Sequence, residues 1–321
     1  MKGLNKTLIV VVVALVCLGI IKDFIIKTVI TTMGSKIVGA PITIGNFSLG
    51  LLTQKVSIKN FKLYNPPGFP NEPLVDFPEI TVKYDLPALV AGKIHLPLLV
   101  VNMKEMSVVT NKEGKLNVDS LKIIQEQKKE KSKDKKEEKK PQDINFQIDV
   151  MKLNIERVIH KDYSKEGEPV ILVYETDLKD KTFKNLKSVP ELVMAVMVQG
   201  LSSTAIRSAG MYAAATLMGI GFLPAGVAGV LLSKDDMVYE FSQSNDKVFN
   251  TILGLIKDIG ELKLEDKAKN LIRAKVYGAD IIITIEATPK NKRKVTIGAR
   301  QMMLPKADVA AGIMYQLKER L

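Results

Sequence analysis

Residues 79–101 read EITVKYDLPALVAGKIHLPLLVV, and their period decides the fold class. Ile80, Val82, Tyr84 and Leu86 fall on one phase, and Glu79, Thr81, Lys83 and Asp85 on the other. A two-residue alternation of this kind belongs to a strand with one apolar face. Ala91-Gly92 supplies a turn, after which Ile94, Leu96, Leu98 and Val100 repeat the pattern. Outward from there, Ile144, Phe146, Ile148 and Val150 alternate again, and Val56 and Ile58 hand over to Phe61 and Leu63 around Asn60, as at a bulge or sharp twist. Turn chemistry at Asn65-Pro66-Pro67-Gly68 and Lys112-Glu113-Gly114 separates the runs. This predicts about eight strands between residues 36 and 187, each with an apolar face that a second sheet, a helix or a ligand must cover. The residues alone leave two uses for those faces: a closed sandwich in which they meet, or an open apolar groove.

Before this region, Met1 to Lys6 is short and basic, and TLIVVVVALVCLGII (residues 7–21) carries no charge. A membrane helix needs ~20 mainly apolar residues, and Lys6 and Lys22 can extend the span by snorkelling to the two interfaces. No Ala-x-Ala site follows the run, and Val16 precedes Cys17 where a lipoprotein signal wants a small residue. The expectation is an uncleaved transmembrane anchor over residues 1–35, with flanking lysines nearly balanced between its two sides.

The formal charge of +12 includes one lysine-rich run, but that run interleaves its lysines with acids and has no tryptophan or stacking aromatics beside it, which argues against nucleic acid as the partner. Attraction to anionic head groups, about 1 kcal/mol per lysine near the surface, is the simpler use. One cysteine excludes an internal disulfide, and two histidines without a ligand cluster point away from a metal site. His95 sits on the polar phase of its strand and reads as solvated. His160, Asp162 and Ser164 read as the polar tip of a strand pair rather than a catalytic triad. Gly219-Ile220-Gly221 lacks the strand before it and the acidic residue after it that a dinucleotide site requires. No enzyme, cofactor or metal is expected.

The phrases KVSIKNFKLYNPPGF (residues 55–69) and EGKLNVDSLK (residues 113–122) lie within residues 44–122, which resemble the N-terminal part of the AsmA-like family. INFQIDVMKLNIERVIHKDYSKEGEPVIL (residues 144–172) resembles the strand pair that often follows there. The resemblance implies an N-terminal helix in the inner membrane with the bulk of the chain periplasmic. It also implies a curved, mostly antiparallel β-sheet with an apolar concave face, related to chorein-type lipid-transfer grooves. Family members are linked to phospholipid movement and outer-membrane homeostasis, so membrane lipids, through their acyl chains, are the expected partners. The candidate groove residues are Ile80, Val82, Tyr84, Ile94, Leu96, Leu98, Val100, Ile144, Phe146 and Ile148. Eight strands ~4.8 Å apart span about 40 Å.

The β region is interrupted by a charged insertion (residues 123–142) whose QEQKKEKSKDKKEEKKPQ cannot bury a core and reads as a solvated linker. Residues 188–234 are apolar. A helix opening at Pro190 leads to an uncharged Ala/Gly-rich run from Ser208 to Ser233, read as a helical hairpin or a second span. Residues 235–321 order as β-α-β-β-β-α, a small α+β domain open to envelope-protein partners. Residues 225–321 are weakly similar, in pattern and order, to short bacterial lipoproteins of unknown function. The leading expectation is a non-enzymatic, inner-membrane-anchored envelope protein whose apolar groove handles lipid. The alternative is an interaction scaffold with closed β-packing.

Overall fold

A computed structural model describes residues 22–130, 146–206, 208, 236–302 and 304–321. The fold is α+β, with two six-stranded sheets. Two compact units divide the chain: one holds residues up to Lys104, Ser120–Asn154 and Leu178–Ala195, and the other holds Glu105–Asp119, Ile155–Asp177 and Val196–Leu321.

Residues 22–38 form a helix, α1, and β1 (Ile42–Gly50), β2 (Lys55–Tyr64) and β3 (Pro73–Lys83) follow as an antiparallel meander. The phase change around Asn60 has a backbone cause. Asn60 takes a positive φ of 54°, between Lys59 paired with Asn46 and Phe61 paired with Ile44. Phe61 and Phe77 then meet across β2 and β3 as a tilted ring pair, with centroids 5.6 Å apart and planes at 60°.

Chain beyond β3 turns into a short helix, α2 (Leu86–Val90), where the alternation predicted further strand through Leu86. The cause is local: Asp85 accepts the Ala88 N–H as N-cap, and Pro87 suits the first helical turn.

Three 17-residue strands complete the first sheet: β4 (Ile94–Thr110), β5 (Phe146–Asp162) and β6 (Val170–Leu186). The partners of β4 on β5 advance in the same direction: His95 meets Asp149, Asn102 meets Asn154, Glu105 meets Arg157, and Thr110 meets His160. The two strands are therefore parallel, and such a pair requires a crossover connection. That crossover begins with a turn built on buried Asn117, which donates to Ser107 O and accepts from the Val109 and Val118 N–H groups. It continues into α3 (Lys122–Glu130). The remainder of the charged insertion, 131–142, lies outside the described residues, as does Ile144. After β6, α4 (Val189–Ser202) buries every side chain from Met194 to Val198.

The second sheet has the order β12-β11-β10-β9-β8, with β7 paired to β11. Its elements are β7 (Asp236–Phe241), α5 (Asn245–Ile259), β8 (Gly260–Asp266), β9 (Leu271–Val276), β10 (Ala279–Ala287), β11 (Arg293–Gln301), β12 (Leu304–Pro305) and α6 (Ala307–Arg320). Ile281, Ile283 and Ile285 alternate into a core shared with Val295, Ile297, Phe249, Ile252 and Ile313, all buried. The expected β-α-β-β-β-α order omits β8 and β12. Strand β8 reads GELKLED and is almost wholly exposed, so its charges hid it; charges are also what protect an edge strand from further pairing.

The expected fold class is corrected in two respects. Among the described residues no helix is long and apolar enough to cross a membrane, so the N-terminal transmembrane helix and the single-pass inner-membrane location are not upheld. The helix at residues 22–38 instead follows β1: Lys22 Nζ donates to Leu49 O and Lys27 Nζ to Gly45 O, while Asp23 accepts the Leu49 N–H. Residues 1–21, and the Ala/Gly-rich run at 209–233, lie outside the described residues. The first sheet is also mixed, where a mostly antiparallel one was expected, because the β4–β5 pair is parallel.

Candidate functional site: an apolar sheet face

Strand β4 is apolar on both of its phases. Leu99, Val101 and Met103 are buried, at 5%, 4% and 1% exposure. Ile94, Leu96, Leu98 and Val100 on the alternate phase are also apolar but only half-buried. A sheet face that simply meets water would carry polar residues there.

The neighbouring strands extend this second face. On β5, Asn154 Nδ2 donates to Asn102 Oδ1, which fixes the shared phase, so Phe146, Ile148 and Val150 stand on the same side. Phe146 and Val150 are half-buried and Ile148 is buried. On the other side, the Asp85 N–H donates to His95 O. Ile80 and Val82 are half-buried, and Tyr84 is buried with its hydroxyl donating to Gly50 O. Nine of the ten candidate residues are thus described, on β3, β4, β5 and the residue after β3; the tenth, Ile144, is outside the described residues. Val150 belongs with them and was left out of the candidate set, although its alternation carried the signal.

At the Ile94 end of β4 lies a depression of about 230 Å³ lined by Ala88, Lys93, Ile94, His95 and Gln147. His95 is not merely solvated. Its Nδ1 lies 3.2 Å from Asp85 Oδ2 and its Nε2 2.9 Å from Asp149 Oδ2. With a carboxylate at each nitrogen the doubly protonated ring can donate to both. The bond to Asp149, then that to Asp85, raises the imidazole pKa above its ordinary value. The Ala88 N–H and then His95 hold Asp85 below the usual carboxylate range, and His95 and then Gln147 do so for Asp149. His160 behaves oppositely: it bonds Thr110 Oγ1 and burial lowers its pKa.

A second depression, about 530 Å³, lies on the β10–β11 face of the second unit. Asp236, Asp280 and Arg300 stand around it, and Gly298 leaves it open; a Cβ at Gly298 would come 2.6 Å from Asp236 Oδ1. Its only sequence signal was a glycine inside a strand.

Comparison with known families finds none that matches this chain, and no curated protein matches it.

Proposed function

We propose that this protein is a non-enzymatic, lipid-handling protein of AsmA-like type that lays acyl chains on the apolar face of β3–β5. The observation that carries this is β4, where Ile94, Leu96, Leu98 and Val100 stay half-buried while Leu99, Val101 and Met103 on the other phase are buried. A branched side chain brought from water into apolar contact contributes about 1.5–3 kcal/mol, so three or four of these residues suffice to hold one chain without any specific polar recognition. The resemblance to AsmA-like proteins supplies the setting, maintenance of the bacterial envelope and its outer membrane, as part of the same proposal.

The test is photocrosslinking of the full-length protein with a phospholipid bearing a diazirine on its acyl chain, with adducts mapped by mass spectrometry. Adducts are expected in the peptides holding Leu96–Val100 and Phe146–Val150, and Leu98→Asp should reduce them roughly tenfold, the equivalent of one lost apolar contact. Labelling that avoids these peptides while circular dichroism reports a folded chain would favour the scaffold reading, with a protein covering this face.

A further inference from the structure

The end of the first unit where β1 turns into β2 carries an apolar tip. Leu52 is 100% exposed and Val90 82%, and Leu51 and Leu89 are exposed beside them. The two segments that present these residues are tied together. Gln54 O accepts the Tyr84 N–H at 3.1 Å, Gln54 Oε1 accepts the Leu86 N–H at 3.4 Å, and α2 begins at Leu86. Four aliphatic side chains at one end of a sheet are more than the single exposed apolar residues that any surface carries.

The surrounding charge identifies what covers the tip. Lys55 and Lys83 are directly paired across β2 and β3, a like-charge pair that destabilises a sheet unless an anion relieves it. Lys93 follows α2, and all three are exposed. Among the described residues none of the three meets a carboxylate. The acids at this end are engaged elsewhere: Asp85 and Asp149 with His95, and Asp23 with Lys22. Protein-binding patches are rich in aromatics and arginine and poor in lysine. This tip has the reverse composition, leucine and valine ringed by lysines, which suits an interface where aliphatic groups enter acyl chains and ammonium groups stay at the head groups.

We infer that this end docks on an anionic lipid bilayer surface, with Leu51, Leu52, Leu89 and Val90 entering the interface and Lys55, Lys83 and Lys93 meeting lipid phosphates. Docking there involves no membrane-crossing helix. It does not depend on acyl chains occupying the β3–β5 face, although Ile94 at the end of that face follows directly after Lys93.

The experiment uses the full-length chain with Cys17→Ser and one new cysteine carrying an environment-sensitive fluorophore. Thr53→Cys reports the tip, and Asn71→Cys reports the β2–β3 turn at the other end of the same strands. With phosphatidylglycerol/phosphatidylcholine vesicles, the Thr53 probe should shift to the blue and be quenched by nitroxide-labelled lipid, while the Asn71 probe should not. Lys55→Glu with Lys83→Glu preserves a like-charge pair but reverses its sign, and should weaken the vesicle response at least tenfold. Leu98→Asp should leave the response intact, which separates this proposal from acyl-chain binding. A Thr53 probe that stays in water, or a response indifferent to the lysine reversal, overturns the proposal.

Discussion

Gly312→Ala should destabilise the protein although glycine-to-alanine changes inside helices ordinarily stabilise it. The ordinary gain is about 1 kcal/mol, from lost freedom of the unfolded chain and better helix propensity. At Gly312 in α6, an added Cβ would collide with Ile171 O and stand 3.0 Å from Ile171 C and 3.4 Å from Leu172 Cα. These are backbone atoms of β6, which cannot swing aside as a side-chain terminus would. Overpacking costs about 1–3 kcal/mol, and so direct a collision belongs at the upper end, leaving a net loss of about 2 kcal/mol. Gly254, in the middle of α5, is the internal control, because nothing lies within 4 Å of its added Cβ. Gly254→Ala should therefore gain about 1 kcal/mol. For a domain of about 150–250 residues these values correspond to a Tm lower by roughly 4–8 °C for Gly312→Ala and higher by roughly 2–4 °C for Gly254→Ala. Thermal melts and urea titrations followed by circular dichroism read both. If the two variants shift in the same direction, the close approach of α6 to β6 does not exist in solution.

The His95 bridge predicts a pH window. A raised imidazole pKa contributes stability that is complete below the ordinary histidine value of 6.5 and is lost as pH rises through the raised value. The lowered carboxyl pKa values of Asp85 and Asp149 contribute stability present above 3.8 and lost as pH falls through the lowered values. The Tm difference between the wild type and His95→Gln should thus be greatest near about pH 5–6 and shrink as pH rises through the raised histidine value; a difference independent of pH counts against the bridge. Ser244 caps α5 by accepting the Lys247 N–H at 3.3 Å, so Ser244→Ala should cost about 1 kcal/mol in urea titrations, and Ser244→Asp should restore most of it.

Period two was enough to locate parts of β2 to β5, because each carries apolar residues at alternate positions whatever its partners are; it did not give the number of strands, which is six among the described residues where about eight were expected. Strand direction is a different matter. Leu98-Leu99-Val100-Val101 is an unbroken apolar run, the pattern of a strand covered on both faces, as parallel strands usually are. Read only for its even phase, it suggested one apolar face. The tighter packing lies on the odd phase, at Leu99, Val101 and Met103. Helix α2 was hidden for a complementary reason: Leu86 continues the alternation, and the N-cap formed by Asp85 ahead of Pro87 outweighs it. The His95 bridge joins groups 10 and 54 residues apart, so no local pattern could announce it. The depression at Gly298 depends on strands β7, β10 and β11 lying side by side, which alternation cannot specify.

The apolar face also has a length, and the length bears on what it can hold. It starts at Ile94 beside the small depression and continues through Val100; the next residue on that phase, Asn102, is bonded to Asn154 of β5. An amide pair there closes the apolar stretch with groups that an acyl chain cannot satisfy. From Ile94 to Val100 the strand advances roughly 20 Å at about 3.3 Å per residue. One leaflet of a bilayer occupies about half of the ~30 Å hydrocarbon core, about 15 Å, so a single acyl chain laid along β4 and β5 fits within the length of this face. A conduit between two membranes would need a face without that polar stop. On the lipid-handling proposal, these dimensions favour holding one lipid tail at a time over a continuous path for many, with Ile94 at the end that follows directly after Lys93.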